Sequence, residues 1–185
     1  MPLRGRYASA LSFAVVLSFA ASGQDLDLAV SGFAVAPPPG YVAASGGPQS
    51  PSQVSVHLSK PAEPDIRCDI SFEVLPGFEQ FTQDALNRQT DNPGWDLFYR
   101  DGLRDFYAVQ SVERFDHAGV RGARVTGISK PKPAIAGWTA DQPALVFMFY
   151  TPKGVNKIAC VAPEALFEAR RTEFEQVVRG VTLAK

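Results

Sequence analysis

The alternation of apolar and polar positions divides the chain into strand-like and helix-like stretches. Leu26, Leu28 and Val30, then Phe33 and Val35, alternate as a single strand. Pro37, Pro38, Pro39 and Gly40 end it, because proline cannot donate to a ladder. Residues 43–53 are small, polar and breaker-rich, which predicts a mobile loop. Val54, Val56 and Leu58 mark a second strand, and Lys60–Asp65, with two prolines, a turn. Ile66, Cys68, Ile70, Phe72 and Val74 then alternate with Arg67, Asp69, Ser71 and Glu73. That is a half-buried strand with Cys68 on its apolar face, and these segments together predict an antiparallel meander.

After Pro76 and Gly77 the period changes. Phe78, Phe81, Ala85 and Leu86 fall on one helical stripe, and Asn92-Pro93-Gly94 breaks it. Trp95, Phe98, Tyr99 and Leu103 predict a short second helix. Tyr107, Val109 and Ser111 read as strand, Asp116–Gly119 as a hairpin turn, and Val120–Ser129 as the return strand, with Gly122 and Gly127 marking weak or bulged points. Residues 130–143 form a proline-rich connection. Ala144–Thr151 is almost wholly apolar, the mark of a central strand covered on both faces. Val155–Val161 follows a tight turn. Pro163 suits a first helical turn, Leu166, Phe167, Phe174, Val177 and Val178 repeat at helical spacing, and Gly180 is placed to end the helix as a left-handed C′ residue. Glu164–Glu168, Arg171–Glu175 and Glu175–Arg179 stand at i, i+4 on its polar face. Val181–Leu183 is an edge strand or a segment lying across the core. Strands, helices, strands and a helix, in that order, predict an α+β fold: an antiparallel β-sheet with helices packed on it.

The amino terminus has a different character. Arg4 and Arg6 precede a run of about 14 apolar and small residues, Ala8–Ala21, within the range of a signal-peptide core and too short to span a bilayer. Small residues and then Gln24 and Asp25 follow, so residues 1–23 are read as a signal peptide and 24–185 as a single α+β domain, periplasmic or secreted. Loss of two arginines takes the net charge from −1 to −3. With 18 basic against 19 acidic residues, no strong field points to nucleic acid, and no second apolar run would hold the cleaved chain in a membrane.

Export bears on the two cysteines. Cys68 and Cys160 both lie in strand-like apolar segments, and an even count in an oxidising compartment points to a disulfide. The alternatives are two buried free thiols or a redox pair, although redox pairs usually stand as Cys-x-x-Cys. A bridge would place the Ile66–Val74 strand beside the Val155–Val161 segment.

A strand ending F-x-V-x-x-P-P-G before an aromatic stands here as Phe33, Val35, Pro38, Pro39, Gly40 and Tyr41, and the chain closes on E-F-E-Q-V-V-R-G-V-T-L. With the order of elements between them, these stretches make the chain similar to the PsbP-like sandwich, a group that includes the periplasmic DcrB-like proteins. The resemblance covers most of the mature chain. It implies a non-enzymatic accessory or binding role and supplies no catalytic residue. The proline-rich segments at 43–53 and 130–143 depart from a compact member.

Candidate chemistry is sparse. His57 falls on the polar phase of its strand and His117 in the turn, and nothing brings them to a shared metal. There is no G-x-S-x-G motif and no phosphate-binding Gly-Lys-Ser/Thr loop. Asp101 and Asp105 alternate with Arg100 and Arg104, a solvated helix face. The aromatic cluster Trp95, Phe98, Tyr99, Phe106 and Tyr107 is either a helix stripe sharing a core with its partner strand or an exposed groove. Trp138 lies in the long loop, where it either packs on its own domain or faces a partner. The ligand or partner surface is therefore assigned to Trp95, Tyr99 and Trp138, with no cofactor and no metal. Three functions compete: a monomeric accessory protein that binds a protein partner, a hydrolase with a site built from dispersed polar residues, and a carrier of a small apolar ligand. Mass spectrometry of the exported protein should find a mature start within about two residues of Gln24; intact Met1–Arg6 in the soluble fraction would refute the cleavage.

Overall fold

The computed structural model describes residues 26–28, 32–46, 52–131 and 140–185. The signal-peptide segment and Trp138 lie outside the described residues. Ten strands and three α-helices make up the described fold, in two antiparallel sheets. The large sheet contains β3 (Val42–Ser45), β4 (Gln53–Ser59), β5 (Arg67–Val74), β9 (Gly154–Val161), β8 (Pro143–Thr151), β7 (Val120–Ser129) and β6 (Tyr107–His117), in that spatial order. The small sheet joins β1 (Leu26–Leu28), β2 (Phe33–Val35) and β10 (Val181–Thr182). The helices are α1 (Gln83–Gln89), α2 (Trp95–Leu103) and α3 (Glu164–Arg179). The α+β class is as the order of elements predicts.

Strand β8 sits between two cores. Leu145, Phe147 and Phe149 enter the core formed with Phe33 and Val35 of β2, Val181, and Phe167, Phe174, Val177 and Val178 of α3. Ala144, Val146 and Met148 enter the second core, with Tyr99 and Leu103 of α2 and Tyr107. The large sheet is thus a middle layer. One face carries α3 and the small sheet, and the other carries α2.

Cys68 and Cys160 form a disulfide, directly opposite each other on β5 and β9 with Cα atoms 4.0 Å apart. Both are fully buried. The bridge ties the first meander to the last hairpin, as the paired cysteines imply.

Several sequence expectations are corrected. Leu26–Val35 is not one strand. β1 and β2 pair antiparallel, Leu26 opposite Val35, and Gly32 at φ 74 takes the left-handed conformation at the reversal. Each triplet keeps a period of two, so alternation alone cannot reveal the turn. Residues 43–45 are not loop but part of β3, which pairs from Val42–Ser59 to Ser45–Val56; an edge strand bonds through its backbone on one side and needs no large side chains. The stripe Phe78–Leu86 is broken: Phe78–Gln80 is a 3-10 turn, Phe81 is extended, and Thr82 Oγ1 accepts the Ala85 N–H at 3.2 Å to start α1 afresh. Val74 ends exposed rather than buried. His117 is not in the turn but closes β6, and its Nε2 donates to the Val181 carbonyl at 2.8 Å. The bulge lies on β6 between Val109 and Ser111, while β7 runs unbroken through Gly122 and Gly127. Gly180 is right-handed helical, not left-handed. Glycine is needed there for space, since an added Cβ would stand 2.2 Å from the Ala36 carbonyl oxygen. On α3, Arg171 pairs with Glu168 at 3.3 Å, and Glu175 reaches Arg124 of β7 at 2.6 Å instead of its i, i+4 neighbours.

An ionic network clamps the turn after β4 onto α3. Lys60 Nζ lies 2.8 Å from Glu63 and 2.9 Å from Glu173, and Arg170 bonds both glutamates. The hydrogen bond from Lys60 holds the Glu63 carboxyl below its ordinary range. Burial opposes the same effect at Glu173, but the Lys60 bond and the nearby cations prevail. A carboxylate whose folded pKa is depressed stabilises the fold above its unfolded pKa, about 4.3 for glutamate, and loses that contribution as pH falls through the folded pKa. Urea unfolding should therefore show stability declining below about pH 4.3, and Glu63→Gln/Glu173→Gln should flatten that decline; an unchanged slope in the double variant refutes the clamp.

The bridge has its own test. Denatured, unreduced protein should show no titratable thiol. Replacing both cysteines by alanine should destabilise by about 2–4 kcal/mol, a fall in Tm of roughly 5–15 °C.

Candidate functional site: an aromatic groove between the helices and the large sheet

Three segments distant in sequence converge on one end of β8. Gly77, at φ 88, aims Phe78 back over the sheet, and Gly94, at φ 75, starts α2. Tyr150 projects from β8 into the space between them. Its ring lies 5.7 Å from Phe78, 5.2 Å from Phe98 and 5.8 Å from Tyr99, and Trp95 meets Tyr99 edge-on at 5.6 Å. Together with Leu86 these rings line a groove of about 240 Å³.

Polar contacts hold the helices around it. Gln83 Nε2 donates to the Tyr150 carbonyl at 3.1 Å. Asn87 donates to the Gly119 carbonyl at 3.1 Å and accepts the Arg121 N–H at 2.9 Å, tying α1 to the hairpin turn. Arg114 donates twice to the Thr90 carbonyl, at 3.1 and 2.6 Å, and its guanidinium stands 5.4 Å from the Trp95 ring centre, a cation–π contact. Arg121 pairs with Asp91 at 2.8 Å beside the mouth.

Apart from Arg121, which is paired with Asp91 at the mouth, the residues lining the groove carry no charge. Burial, reinforced by Tyr150, pushes the Tyr99 hydroxyl well above its ordinary pKa. Burial, reinforced by Glu73, raises Tyr150 to about 12. Both stay neutral at physiological pH, so the walls offer apolar area and hydroxyl groups rather than a nucleophile or a general base. At its edge the Phe98 wall is 56% exposed, and the neighbouring Leu97 is 61% exposed.

Trp95 and Tyr99 are therefore brought together, Tyr99 as a wall with only 5% of its surface exposed. The five-aromatic cluster divides. Phe106 and Tyr107 belong to the α2-side core away from the groove, with Phe106 facing Lys157. Tyr150 and Phe78 are site residues that spacing does not reveal; Tyr150 is hidden at the end of a strand that reads as pure core. Among the described residues no group of three or more His, Cys, Asp or Glu could hold a metal. His57, on β4, instead donates from Nδ1 to Asp69 at 2.5 Å. Of the charges read as a solvated helix face, Arg100 and Asp101 lie on α2, with Arg100 3.3 Å from Asp96, while Arg104 and Asp105 follow its end, with Arg104 3.6 Å from Asp101. No helix among the described residues is long and apolar enough to cross a membrane.

The layered α+β arrangement is the PsbP-like sandwich. Among solved structures, the chain is similar to the solution structure of cyanobacterial PsbP (CyanoP) from Synechocystis sp. PCC 6803, with a TM-score of 0.53, 15% sequence identity, and coverage of 82% of this chain and 86% of that one. At that identity the likeness is one of fold. No family model matches the chain, and no curated protein matches it by sequence.

Proposed function

We propose that the chain is an exported, soluble, monomeric accessory protein without catalysis of its own, a single domain from about residue 24. In this reading it binds a protein partner by receiving an apolar side chain in the groove. The disulfide supports export to an oxidising compartment, which is where such bridges persist. Fold alone does not fix function, so the reading rests on the site. One observation carries it: Leu97 and Phe98 stand exposed on consecutive positions at the edge of the groove. Sites that bury a drug-sized ligand are usually about 300–1,000 Å³; at about 240 Å³ this groove is below that range. It suits one inserted side chain, with Leu97 and Phe98 extending the contact at its edge. Trp138, the third residue assigned to the surface, keeps its place in this reading as a partner-facing residue.

The test is crosslinking in the intact cell from p-benzoylphenylalanine placed at Leu97, with placement at Glu168 on α3 as control. The expected result is a discrete protein adduct from position 97 that is absent from position 168 and lost when Phe98→Ser is added. Phe98 is 56% exposed but packs on Tyr99 and Tyr150, so Phe98→Ser alone should cost about 1–2 kcal/mol and leave the protein folded. Equal adducts from both positions, or none, would refute the partner surface. A small apolar molecule extracted stoichiometrically from the purified protein would establish the carrier function instead.

A further inference from the structure

A second cavity, of about 230 Å³, lies on the same face of the large sheet, at its junction with the end of α2. Tyr150 stands between the two spaces and contributes to both. The walls of the second are apolar, with Leu75, Leu103, Phe106 and Met148 among them, and one cation enters it: Lys157 of β9. Lys157 is placed there by register, opposite Ser71 of β5 on one side and Met148 of β8 on the other.

The ammonium is in an unusual position. Among the described residues it has no hydrogen-bond or ion-pair partner, and it stands 5.3 Å from the centre of the Phe106 ring. An ammonium carries three donors and no acceptor, and this one is half-buried at the cavity wall, where water reaches only part of it. Burial accordingly lowers the lysine's pKa, while Glu73 and Asp69 act against that shift. A charged group held among apolar walls and facing a cavity is a binding feature when a ligand supplies the missing acceptors.

We propose that this cavity binds a small amphipathic monocarboxylate, its carboxylate on the Lys157 ammonium and its apolar tail between Leu103, Phe106 and Met148. Three observations define the ligand. The lone cation calls for an acceptor-rich anion. Glu73 lines the same cavity and Asp69 acts on Lys157 from the same strand, and their repulsion weighs more heavily on the two charges of a phosphate than on the single charge of a carboxylate. The cavity, of about 230 Å³, suits a short alkyl or aryl chain. This site is separate from the partner groove, and neither reading depends on the other.

Octanoate, octan-1-ol and octylamine should be titrated into the purified, disulfide-bonded protein by calorimetry, with the Lys157 side-chain signal followed by NMR. Octanoate should bind about tenfold or more tightly than the alcohol, the ratio a charge-assisted hydrogen bond confers, and should move the Lys157 titration to higher pH. Lys157→Met should erase the preference. Gly102→Leu provides a second variant, because an added Cβ there meets nothing within 4 Å and helical leucine is well tolerated, while the larger side chain fills the mouth; it should weaken octanoate binding with the fold intact. Equal binding of acid and alcohol, no binding of octanoate, preference surviving in Lys157→Met, or octanoate binding lost on Phe98→Ser would each overturn the proposal. The last result would assign the probe to the aromatic groove.

Discussion

The two-sided burial of β8 is the constraint on which the rest of this structure depends. A strand with Leu145, Phe147 and Phe149 on one face and Ala144, Val146 and Met148 on the other cannot leave either face to water. At roughly 1.5–3 kcal/mol for each large apolar side chain fully buried, the five large ones, with Ala144 beside them, require cover on both sides. The α3 helix and the small sheet satisfy one face and α2 the other. The layered form follows from that requirement.

The disulfide and the carboxy-terminal tail secure the first of those layers. Cys68 and Cys160 lock β5 to β9 beside β8, on the face that receives α3. The tail then returns to the sheet. Gly180 lets the end of α3 pass against Ala36, β10 pairs with β2, and the Ala184 N–H donates to Oδ1 of Asn156, a fully buried side chain on β9. A polar side chain inside an apolar core is stabilising only when bonded, and here it anchors the last residues of the chain. The ionic clamp from Lys60 to Glu173 fastens the same layer at its rim.

The second layer is thinner, and the cavities lie there. Helices α1 and α2 are seven and nine residues long and are separated by Asn92-Pro93-Gly94. Two short helices cannot cover the apolar face of a wide sheet without gaps. The aromatic groove opens at one side of Tyr150 and the Lys157 cavity at the other. The α3 face has a 16-residue helix, the small sheet and the disulfide to close it. The face with the shorter helices is therefore where binding is sought.

Much of this was legible in the residues themselves. The double-sided apolar run at 144–151, the alternation around Cys68, the hairpin before Val120 and the long amphipathic α3 follow from local periodicity and turn chemistry, which need only neighbouring residues. The pairing of the only two cysteines was legible for a different reason, since two allow one connectivity. Trp95 and Tyr99 could be singled out as aromatic, but whether they line a core or a groove depends on Phe78 and Tyr150, which spacing does not connect to them. The reversal at Gly32 and the strand at Val42–Ser45 were hidden because backbone pairing with a distant partner forms them, not side-chain pattern. Lys157 alternates like any solvent-facing lysine in its strand. Only the end of α2 and Phe106, brought over the same face of the sheet, half-enclose that position, because burial is set by what covers a face and not by the face's own sequence.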